Sequence, residues 1–328
     1  MDSIFMRDLA LPKPLHRLDG RTRNGRHGEH VGRLMTQIET ILINERPTHV
    51  VVQGDTNTVL AASLAAAKLP DIRIAHVEAG LRSFDRRMPE ETNRILTDHM
   101  SQLLFAPTQE AAALLRAEGI PQARIRVTGN TVVDAVRLNR TLARSGASFA
   151  VRRLRSSSPY GLVTLHRQEN VDSRSTLAGI LAGLGRATKE LGSPLLFPAH
   201  PRTLDRIKKF RLKLPRGLNV MPPVGYLDFL HLEEGARLIL TDSGGVQEEA
   251  CILRVPCVTL RTSTERPETI AAGGNLLAGC DPGAIHRASK KILARGRDWR
   301  NPFGDGHASD RILKALEQDA SRQGRVAA

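Results

Sequence analysis

The 328-residue sequence predicts an α/β protein built from two successive units, each a parallel sheet covered by helices. From residue 48 onward, short β-branched runs alternate with helical patterns, which is typical of parallel sheets. A small, polar and basic stretch at 145–159 interrupts this alternation, and the pattern then restarts. Because single cores rarely grow beyond ~250 residues, we predict a first domain over 1–150, a second over 151–307 and a final helix over 308–328.

In the first domain, β-branched runs predict strands, and Ala- and Leu-rich or N-terminally acidic segments between them predict helices. Pro89 and the two acids after it suit a helix N-terminus. The predicted strands are residues 48–55, 73–80, 103–107 and 124–130; the predicted helices are 57–69, 89–100 and those beginning at Thr108 and Thr131.

The second domain repeats the pattern, and two such units imply a ligand cleft at the C-terminal ends of the strands. Its predicted strands are residues 160–167, 194–200, 219–224, 237–243 and 256–261. Its predicted helices are residues 175–191, a segment ending at Phe210, those beginning at Tyr226 and Gly245, and 281–294; the chain closes with a helix from Ala308.

Composition excludes several classes of protein. No run of 18 apolar residues occurs, so the sequence predicts no membrane span, and the N-terminus lacks the pattern of a secretory signal. The three cysteines, Cys251, Cys257 and Cys280, have no metal-ligand spacing and suggest no disulfide framework. A cytoplasmic protein is expected.

The net charge of +14 has two interpretations. Clustered Lys and Arg would indicate a nucleic-acid binder, whereas charges scattered through helices indicate an Arg-rich protein. Aromatic residues are only 3% of the chain, too few for base-stacking platforms. We therefore predict no nucleic-acid partner, and expect part of the positive charge to serve an anionic small molecule.

The segment LILTDSGGVQEEA (238–250) is the strongest local signal for ligand binding. A predicted strand runs into Ser243, Gly244 and Gly245, where a helix begins. Glycines allow a phosphate to approach the backbone, and the N–H groups and dipole of the helix favour an anion. Glu249 lies one turn into the helix, within reach of ribose hydroxyls. The alternative is a simple turn in which Ser243 caps the helix.

Three acidic residues follow predicted strands of the first domain or begin its next helix. Asp55 lies between a strand and a helix, Glu78 follows the next strand, and Glu90 starts the helix after that. Each acid taken alone is more commonly a helix cap or a surface charge. Their convergence at one edge of a parallel sheet instead predicts an active site.

Basic residues occupy the equivalent places in the second domain. His166 and Arg167 end its first strand, and Arg266 follows a later strand. A lone His is more often structural, but a His-Arg pair at this edge can hold an anionic leaving group. His27 and His30 resemble a metal pair only superficially, since no third ligand is visible nearby; we predict no metal site.

Taken in order, eight segments of the chain resemble the non-hydrolysing UDP-N-acetylglucosamine 2-epimerases. The resemblance extends over nearly the whole chain, from about residue 5 to 318, and the matching segments are QGDTNT, HVEAGLRS, MPEETNR, VTGNTVVDA, VTLHRQENVD, FPAHPRT, TDSGGVQEEA and TERPET. The resemblance implies a glycosyltransferase-B-like fold of two Rossmann-like domains, with the active site in the interdomain cleft and a C-terminal helix returning to the first domain. It also implies a homodimer acting in surface polysaccharide or related glycan synthesis.

The resemblance further implies a role for each matching residue. Asp55, Glu78 and Glu90 match an acidic trio that transfers protons at the sugar, and His166 matches a histidine that helps UDP leave. The implied substrate contacts are Ser243, Gly244, Gly245 and Arg266 for the diphosphate, Glu249 for the ribose and Phe229 for the uridine. The implied reaction interconverts UDP-GlcNAc and UDP-ManNAc through elimination of UDP and its re-addition, without a metal or redox cofactor.

The resemblance departs at the front of the chain. Family members begin with a strand, a Gly-Thr-Arg-Pro-Glu loop, a helix and a second strand, whereas MDSIF here matches the interior of a later segment. The first domain is thus expected to lack its first strand–helix–strand, together with an Arg and a Lys that contact substrate. We predict that Met1 is an internal methionine and that the natural chain is longer by roughly one βαβ unit.

Two alternatives to an epimerase are a glycosyltransferase of the same fold and a non-catalytic UDP-sugar-binding remnant. A simple transferase does not require the acidic trio, which argues against the first. The second follows from the incomplete first domain beside a complete nucleotide-binding pattern in the second.

Overall fold

Parallel strands form both sheets of the protein, whose structure is a computed structural model that describes residue 6, residues 8–22 and residues 25–326. Lys13–Asp134 and the C-terminal segment that begins at Phe303 form a first unit, and Ala135–Pro302 forms most of a second unit. The α/β fold with two parallel sheets, predicted from the alternation of strand and helix patterns, is confirmed.

The sheet of the first unit has the order β1-β2-β3-β4. Its inner strands β2 and β3 are largely buried on both faces, as a sheet covered by helices requires, and Ile74 and Leu104 are fully buried. β1 is an edge strand, where Val51 is 50% exposed. The elements are α1 (His27–Glu45), β1 (His49–Gln53), α2 (Asn57–Ala66), β2 (Arg73–Val77), α3 (Pro89–Met100), β3 (Leu103–Ala106), α4 (Gln109–Ala117), a 3-10 turn (Gln122–Arg124) and β4 (Ile125–Val127).

The second unit has six strands in the order β10-β9-β8-β5-β6-β7. Leu, Ile and Val side chains from both faces of this sheet form two buried clusters beneath the helices. The elements are α5 (Thr131–Gly146), α6 (Phe149–Ser157), β5 (Gly161–Thr164), α7 (Gln168–Val171), α8 (Arg174–Leu191), β6 (Leu195–Pro198), α9 (Pro201–Lys209), β7 (Leu218–Met221), α10 (Tyr226–Gly235), β8 (Ile239–Thr241), α11 (Gly244–Ile252), β9 (Cys257–Thr259), α12 (Pro267–Ala271), β10 (Asn275–Leu277) and α13 (Pro282–Ala294).

This strand order has a topological switch point between β5 and β8. The chain moves outward from β5 through β6 and β7, then returns to pair β8 with β5 on its other side. Loops that leave two such strands diverge, and the crevice between them is the usual ligand position in open α/β sheets. The loop after β5 carries His166 and the loop after β8 carries Ser243, so the fold brings these two predicted site residues to one place.

The last helix, α14 (Ala308–Val326), belongs to the first unit. Ile312 joins Val77 and Phe105 in a buried cluster against the sheet. Farther along, Asp319 lies 2.9 Å from His49 Nε2 and 2.7 Å from Arg73 Nε. The C-terminal helix thus packs on β2 and β3 through an apolar contact, and Asp319 ties it to β1 and β2 through a polar contact with His49 and an ion pair with Arg73.

Three details differ from the sequence-based expectations. The units divide at Asp134–Ala135, before residue 150, because α5 and α6 pack with the second unit: Arg140 and Arg144 bind Glu234 on α10. The expected connection at 145–159 is largely the helix α6. Helix α1 and strand β10 were not predicted, and the MDSIF segment lies outside the described residues.

Candidate active site

A cavity of about 460 Å³ opens at the switch point of the second unit. It unites three of the predicted site residues, His166, Phe229 and Ser243. The remaining lining residues are Thr164, Leu165, Pro198, His200, Arg202, Pro223, Val224 and Val246. Apolar walls with a few convergent polar groups are typical of a small-molecule site.

His166 is held against a buried carboxylate. Its Nδ1 lies 3.1 Å from Oδ1 of Asp242, and its backbone N–H donates to the same carboxylate at 3.0 Å. Asp242 also accepts from Arg167 N and Asn170 Nδ2. Burial opposes the charge of Asp242, but the hydrogen bonds from His166, Arg167 and Asn170 outweigh it and lower the pKa of Asp242. The Asp242 carboxylate holds the His166 ring in one orientation. Because the imidazole is half-exposed and Nδ1 faces Asp242, Nε2 is the nitrogen that can contact a ligand.

The N-terminus of α11 follows β8, on the other side of the switch point from β5, the strand that leads to His166. The Ser243 hydroxyl accepts from Val246 N at 3.5 Å, so Ser243 caps the helix, as the alternative interpretation of the motif expected. Capping does not exclude an anion, because the first N–H groups of a helix have no partner within it. A side chain at Gly245 would enter open space, whereas one at Gly244 would collide with Oε1 of Glu265 at 2.5 Å. A side chain at Gly244 would thus require the Glu265 carboxylate to shift, whereas position 245 has no such constraint.

Two predicted contact residues are buried and do not line the cavity. Arg266 is paired with Glu248, with Nε 2.6 Å from Oε1. Glu249 lies on α11 and is 9% exposed. Its pKa is raised to about 7 by burial, which hydrogen bonds with Tyr226 and Glu233 only partly offset. Contact between these two residues and a ligand remains a prediction.

Asp55 follows β1 in the first unit and does not cap the next helix. Thr56 has that role, since its hydroxyl accepts from Val59 N at 3.4 Å. The Asp55 carboxylate instead receives Arg94 on α3, with Nη2 and Nε at 2.7 and 3.0 Å from Oδ2. The capping alternative for Asp55 is thereby excluded, and the carboxylate is held in place by a buried arginine.

Glu78 follows β2, the parallel neighbour of β1, with a left-handed backbone at φ 69°. A non-glycine residue in this region costs on the order of 1–3 kcal/mol and is often found at functional sites. Gln53 Nε2 donates to Glu78 Oε1 at 2.8 Å. Glu90 is the second residue of α3, next to Glu91, whose carboxylate accepts from Arg94 at 2.6 Å. Glu78 and Asp55 are therefore linked to neighbouring elements, through Gln53 and Arg94 respectively, whereas Glu90 is placed by its position at the start of α3.

A buried ionic network lies beneath the loops that carry Asp55 and Glu78. Asp98 on α3 is fully buried and lies 2.7 Å from both His76 Nδ1 and Arg82 Nη1. His76 Nε2 lies 2.9 Å from the Gly54 carbonyl, and Gly80 N–H donates to Asp98 at 3.1 Å. Gly80 is essential because a side chain there would collide with the Ala111 carbonyl. One carboxylate thus fixes both loops.

Arg94, Asp98 and Asp242 were not identified as site residues from the sequence. Arg94 and Asp98 lie within α3, and only the acidic residues at the start of that helix were used in the prediction. Asp242 was taken as part of the end of a strand. Their partners are distant in sequence, 39 positions away in the case of Arg94 and Asp55. The signal that the sequence offered was their position: all three are polar residues near predicted site residues or motifs.

Other chemical classes find no support among the described residues. In that part of the chain, no group of three His, Cys, Asp or Glu side chains is placed to hold a metal ion. His27 and His30 both contact the side-chain amide of Asn57. None of the helices found in residues 8–22 and 25–326 combines the length and apolar character needed to cross a membrane.

Comparison with known proteins identifies the family of this chain. Residues 1–317 match the family model described as UDP-N-acetylglucosamine 2-epimerase. The UDP-N-acetylglucosamine 2-epimerase of Methanococcus maripaludis is 48% identical over 322 residues, covering 96% of this chain and 87% of that protein. The UDP-2,3-diacetamido-2,3-dideoxy-D-glucuronate 2-epimerase of Pseudomonas aeruginosa is 41% identical over 319 residues, covering 96% and 87%.

Among solved structures, the chain is similar to Methanocaldococcus jannaschii UDP-GlcNAc 2-epimerase in complex with UDP-GlcNAc and UDP. The TM-score is 0.89 at 49% identity, covering 97% of this chain and 88% of that one. The fold is accordingly glycosyltransferase-B-like, as the resemblance of the motifs implied.

The network around Asp98 generates a stability prediction. Asp98→Asn should destabilise the protein by ~3–5 kcal/mol at pH 7, because the buried Arg82 loses its counter-charge. Burial opposes ionisation of Asp98, but His76 and Arg82 together lower its pKa below the ordinary 3.8. Its contribution is therefore complete above pH 3.8 and is lost as the pH falls below that value. Urea unfolding at pH 7 and thermal melts from pH 7 to 3 measure both effects.

The exposed Asp71→Asn variant is the matched control and should unfold like the wild type. Equal stability of Asp98→Asn and the control at pH 7 would show that the network does not hold the loops.

Proposed function

The chain belongs to the UDP-N-acetylglucosamine 2-epimerase family, and we propose that it is an isomerase that interconverts UDP-GlcNAc and UDP-ManNAc. The observation that carries this proposal is the cavity at the switch point, where a fixed His166 and the N-terminus of α11 converge on one space. A diphosphate is the ligand that a positively polarised helix end and an adjacent imidazole suit best.

In this proposal the second unit binds the nucleotide. The diphosphate lies at Ser243, Gly244 and Gly245. Arg266 either exchanges its ion pair with Glu248 for one with the phosphate, or keeps that pair and adds to the positive potential of the site. Phe229, on the wall of the cavity, contacts the uridine. Glu249 accepts hydrogen bonds from the ribose hydroxyls.

The proposed reaction breaks and re-forms the bond between C1 of the sugar and the diphosphate. Loss of the proton on C2 and departure of the electron pair with UDP give a 2-acetamidoglucal and free UDP. Re-addition of UDP to C1, with a proton delivered to the opposite face of C2, gives the epimer. Negative charge grows on the departing oxygen, and His166, oriented by Asp242, is the group we propose to neutralise it.

Inversion at C2 requires proton transfer on two faces of the sugar, which one carboxyl group cannot perform alone. We assign these transfers to Asp55, Glu78 and Glu90. Two features support the assignment: the loops of Asp55 and Glu78 are fixed by Asp98, and Glu78 has a strained backbone. Proton transfer requires this kind of fixed geometry.

UDP-GlcNAc is proposed as the substrate because two relatives with that activity in their names are 48–49% identical to this chain, against 41% for the diacetamido-glucuronate epimerase. A glycosyltransferase is disfavoured by the family membership. We further propose a cytoplasmic homodimer that supplies a glycan pathway. The resemblance implies that assembly, and the cysteines Cys251, Cys257 and Cys280 are free thiols, as a reducing compartment requires.

The proposal is tested by incubating the protein with UDP-GlcNAc in D₂O and following the H2 signal by NMR. Exchange of H2 and appearance of UDP-ManNAc are expected. Binding of UDP without exchange would favour the non-catalytic remnant, and glycoside formation with stoichiometric UDP would indicate a transferase. The diacetamido-glucuronate nucleotide, assayed in parallel, tests the choice of sugar.

The acidic residues should affect turnover far more than nucleotide binding. We expect Asp55→Asn, Glu78→Gln and Glu90→Gln each to lower kcat by ~10²–10⁴-fold, the usual contribution of a general acid or base. The dissociation constant of UDP, measured by calorimetry, should change little. A variant with wild-type turnover would remove its residue from the assignment.

The nucleotide contacts should show the opposite behaviour. The double substitution of Ser243→Ala and Arg266→Ala should weaken UDP binding by ~2–4 kcal/mol, since a hydroxyl and a charged hydrogen bond to phosphate are lost. Thermal melts serve as a control, because Glu248 loses its partner in this variant. Unchanged UDP affinity would mean that the diphosphate lies elsewhere.

A further inference from the structure

Glu91, on the first turn of α3, is a buried carboxylate with four hydrogen-bond donors. Its Oε2 accepts from Ser83 N, Ser83 Oγ and Arg94 Nη1 at 2.9, 2.9 and 2.6 Å, and its Oε1 accepts from Phe84 N at 2.9 Å. Burial opposes the charge of Glu91, but these hydrogen bonds outweigh it and lower the pKa of Glu91. Glu91 is therefore a fixed negative charge, anchored to the loop that follows β2.

The loop to which Glu91 is anchored has a constrained backbone. Phe84 is left-handed at φ 59°, a conformation that a non-glycine residue keeps only when surrounding contacts hold it. The Ser83 hydroxyl donates to Glu91 and accepts from Asp85 N at 3.3 Å. Because two backbone N–H groups and this hydroxyl bind Glu91 independently of Arg94, the carboxylate stays in place if Arg94 moves.

Arg94 divides its donors between Glu91 and Asp55. Nη1 donates to Glu91, whereas Nε and Nη2 both donate to Oδ2 of Asp55, at 3.0 and 2.7 Å. The guanidinium is buried, while the Asp55 side chain is 31% exposed. Among the described residues, none forms a hydrogen bond with Oδ1 of Asp55, so this oxygen is available to a ligand.

An arginine with a single carboxylate partner prefers another arrangement. The guanidinium fork matches the two oxygens of a carboxylate, and such pairs are frequently bidentate. Without Glu91, the buried Nη1 would lose its acceptor, and Arg94 would turn to engage both oxygens of Asp55. The Asp55 backbone would not follow, because Asn93 Nδ2 donates to its carbonyl at 2.8 Å.

We propose that Glu91 is a positioning residue for proton transfer: it retains Nη1 of Arg94, confines the guanidinium to Oδ2 of Asp55, and so leaves Oδ1 to exchange a proton with the sugar. This inference rests on the proposed function, which assigns proton transfer to Asp55. It adds the residue that keeps one oxygen of Asp55 accessible. Because Glu91 is buried, it acts through Arg94 and not on the substrate.

The test is a double-mutant cycle on the turnover of UDP-GlcNAc, in which Glu91→Gln is made in the wild type and in Asp55→Asn. Gln has the size of Glu but lacks the charge that retains Arg94. In the wild type, Glu91→Gln should lower kcat by about 10- to 100-fold, the effect of misplacing a catalytic group by about an ångström. In Asp55→Asn, where the contribution of residue 55 is already lost, it should lower kcat no further.

The dissociation constant of UDP, measured by calorimetry, should be the same in all four proteins of the cycle. An equal loss of kcat in both backgrounds would overturn the inference, because Glu91 would then act on the fold in general. Unchanged kcat of Glu91→Gln in the wild-type background would overturn it as well. Glu91→Asp, which keeps the charge on a shorter side chain, is run in the same cycle in case Glu91→Gln does not fold, and the same pattern is expected.

Asp319→Asn is the matched control for loss of a carboxylate. Asp319 also pairs with an arginine of the first unit, but it contacts His49 and Arg73, the first residues of β1 and β2. These contacts lie at the opposite end of the strands from Asp55. The control should lower the stability of the protein and leave kcat unchanged.

A second measurement requires no turnover. If Glu91 and Asp55 share Arg94, loss of Asp55 is more destabilising once Glu91 is gone, since a buried guanidinium is then left without a carboxylate. We expect Asp55→Asn to lower the folding equilibrium constant, measured by urea unfolding, about tenfold more in Glu91→Gln than in the wild type. Additive effects of the two substitutions would overturn the inference.

The two measurements separate this inference from the proposed function. Coupled stabilities in a wild-type protein that does not exchange H2 of UDP-GlcNAc would contradict the epimerase proposal and support the sharing of Arg94. Additive stabilities in an active epimerase would overturn the inference alone.

Discussion

The parallel pairing of β5 with β8 decides where the second unit can bind a ligand. Their register sets Thr164 opposite Thr241, whose hydroxyl oxygens are 2.5 Å apart. Two residues later the chains diverge, and the Asp242 carboxylate reaches back from the β8 side to the backbone of His166 on the β5 side. A slip by one residue would turn every side chain of one strand to the other face of the sheet and separate these groups. The cavity, the histidine and the helix N-terminus therefore all depend on one strand pairing.

Buried carboxyl groups occur in this protein in two electrostatic settings with opposite consequences. Asp98 and Asp242 are surrounded by donors, and their charged forms are stabilised although burial opposes them. Such a group is a permanent charge that ties backbone segments together over the whole range of physiological pH. In the described part of the chain Glu233 and Glu249 have no ion pair, and burial raises the pKa of Glu249 to about 7 and that of Glu233 well above its usual range. The groups around a buried acid, rather than its burial, therefore decide whether it stays ionised or titrates near physiological pH.

How much could be predicted from the sequence depends on whether a feature is set by local residues or by tertiary contacts. The strands of both sheets were predictable because β-branched runs ended in Gly and polar residues, whereas β10 has only three residues and gave no signal. Local rules allowed either Asp55 or Thr56 to cap α2, and only the tertiary contact between Asp55 and Arg94 decides between them. The motif around Ser243 correctly predicted the start of a helix, and the binding of a diphosphate there remains a prediction. Glu233 resembled any other acid in a helix, since its burial depends on how α10 packs against α11.

The proposed reaction places different demands on the groups that bind UDP and on the groups that act on the breaking bond. UDP is held before, during and after the cleavage of the C1–O bond, so contacts to its base and ribose are the same in every state. Such uniform binding retains the intermediate but does not lower the barrier. The barrier can be lowered only by groups whose interactions strengthen as charge develops, and these groups act best when they need no reorganisation at that moment. Asp242 meets this requirement for His166 by fixing its ring, and Asp98 meets it for the loops of Asp55 and Glu78. Each unit thus uses one buried, fully compensated carboxylate to hold the side chains that we propose act on the substrate.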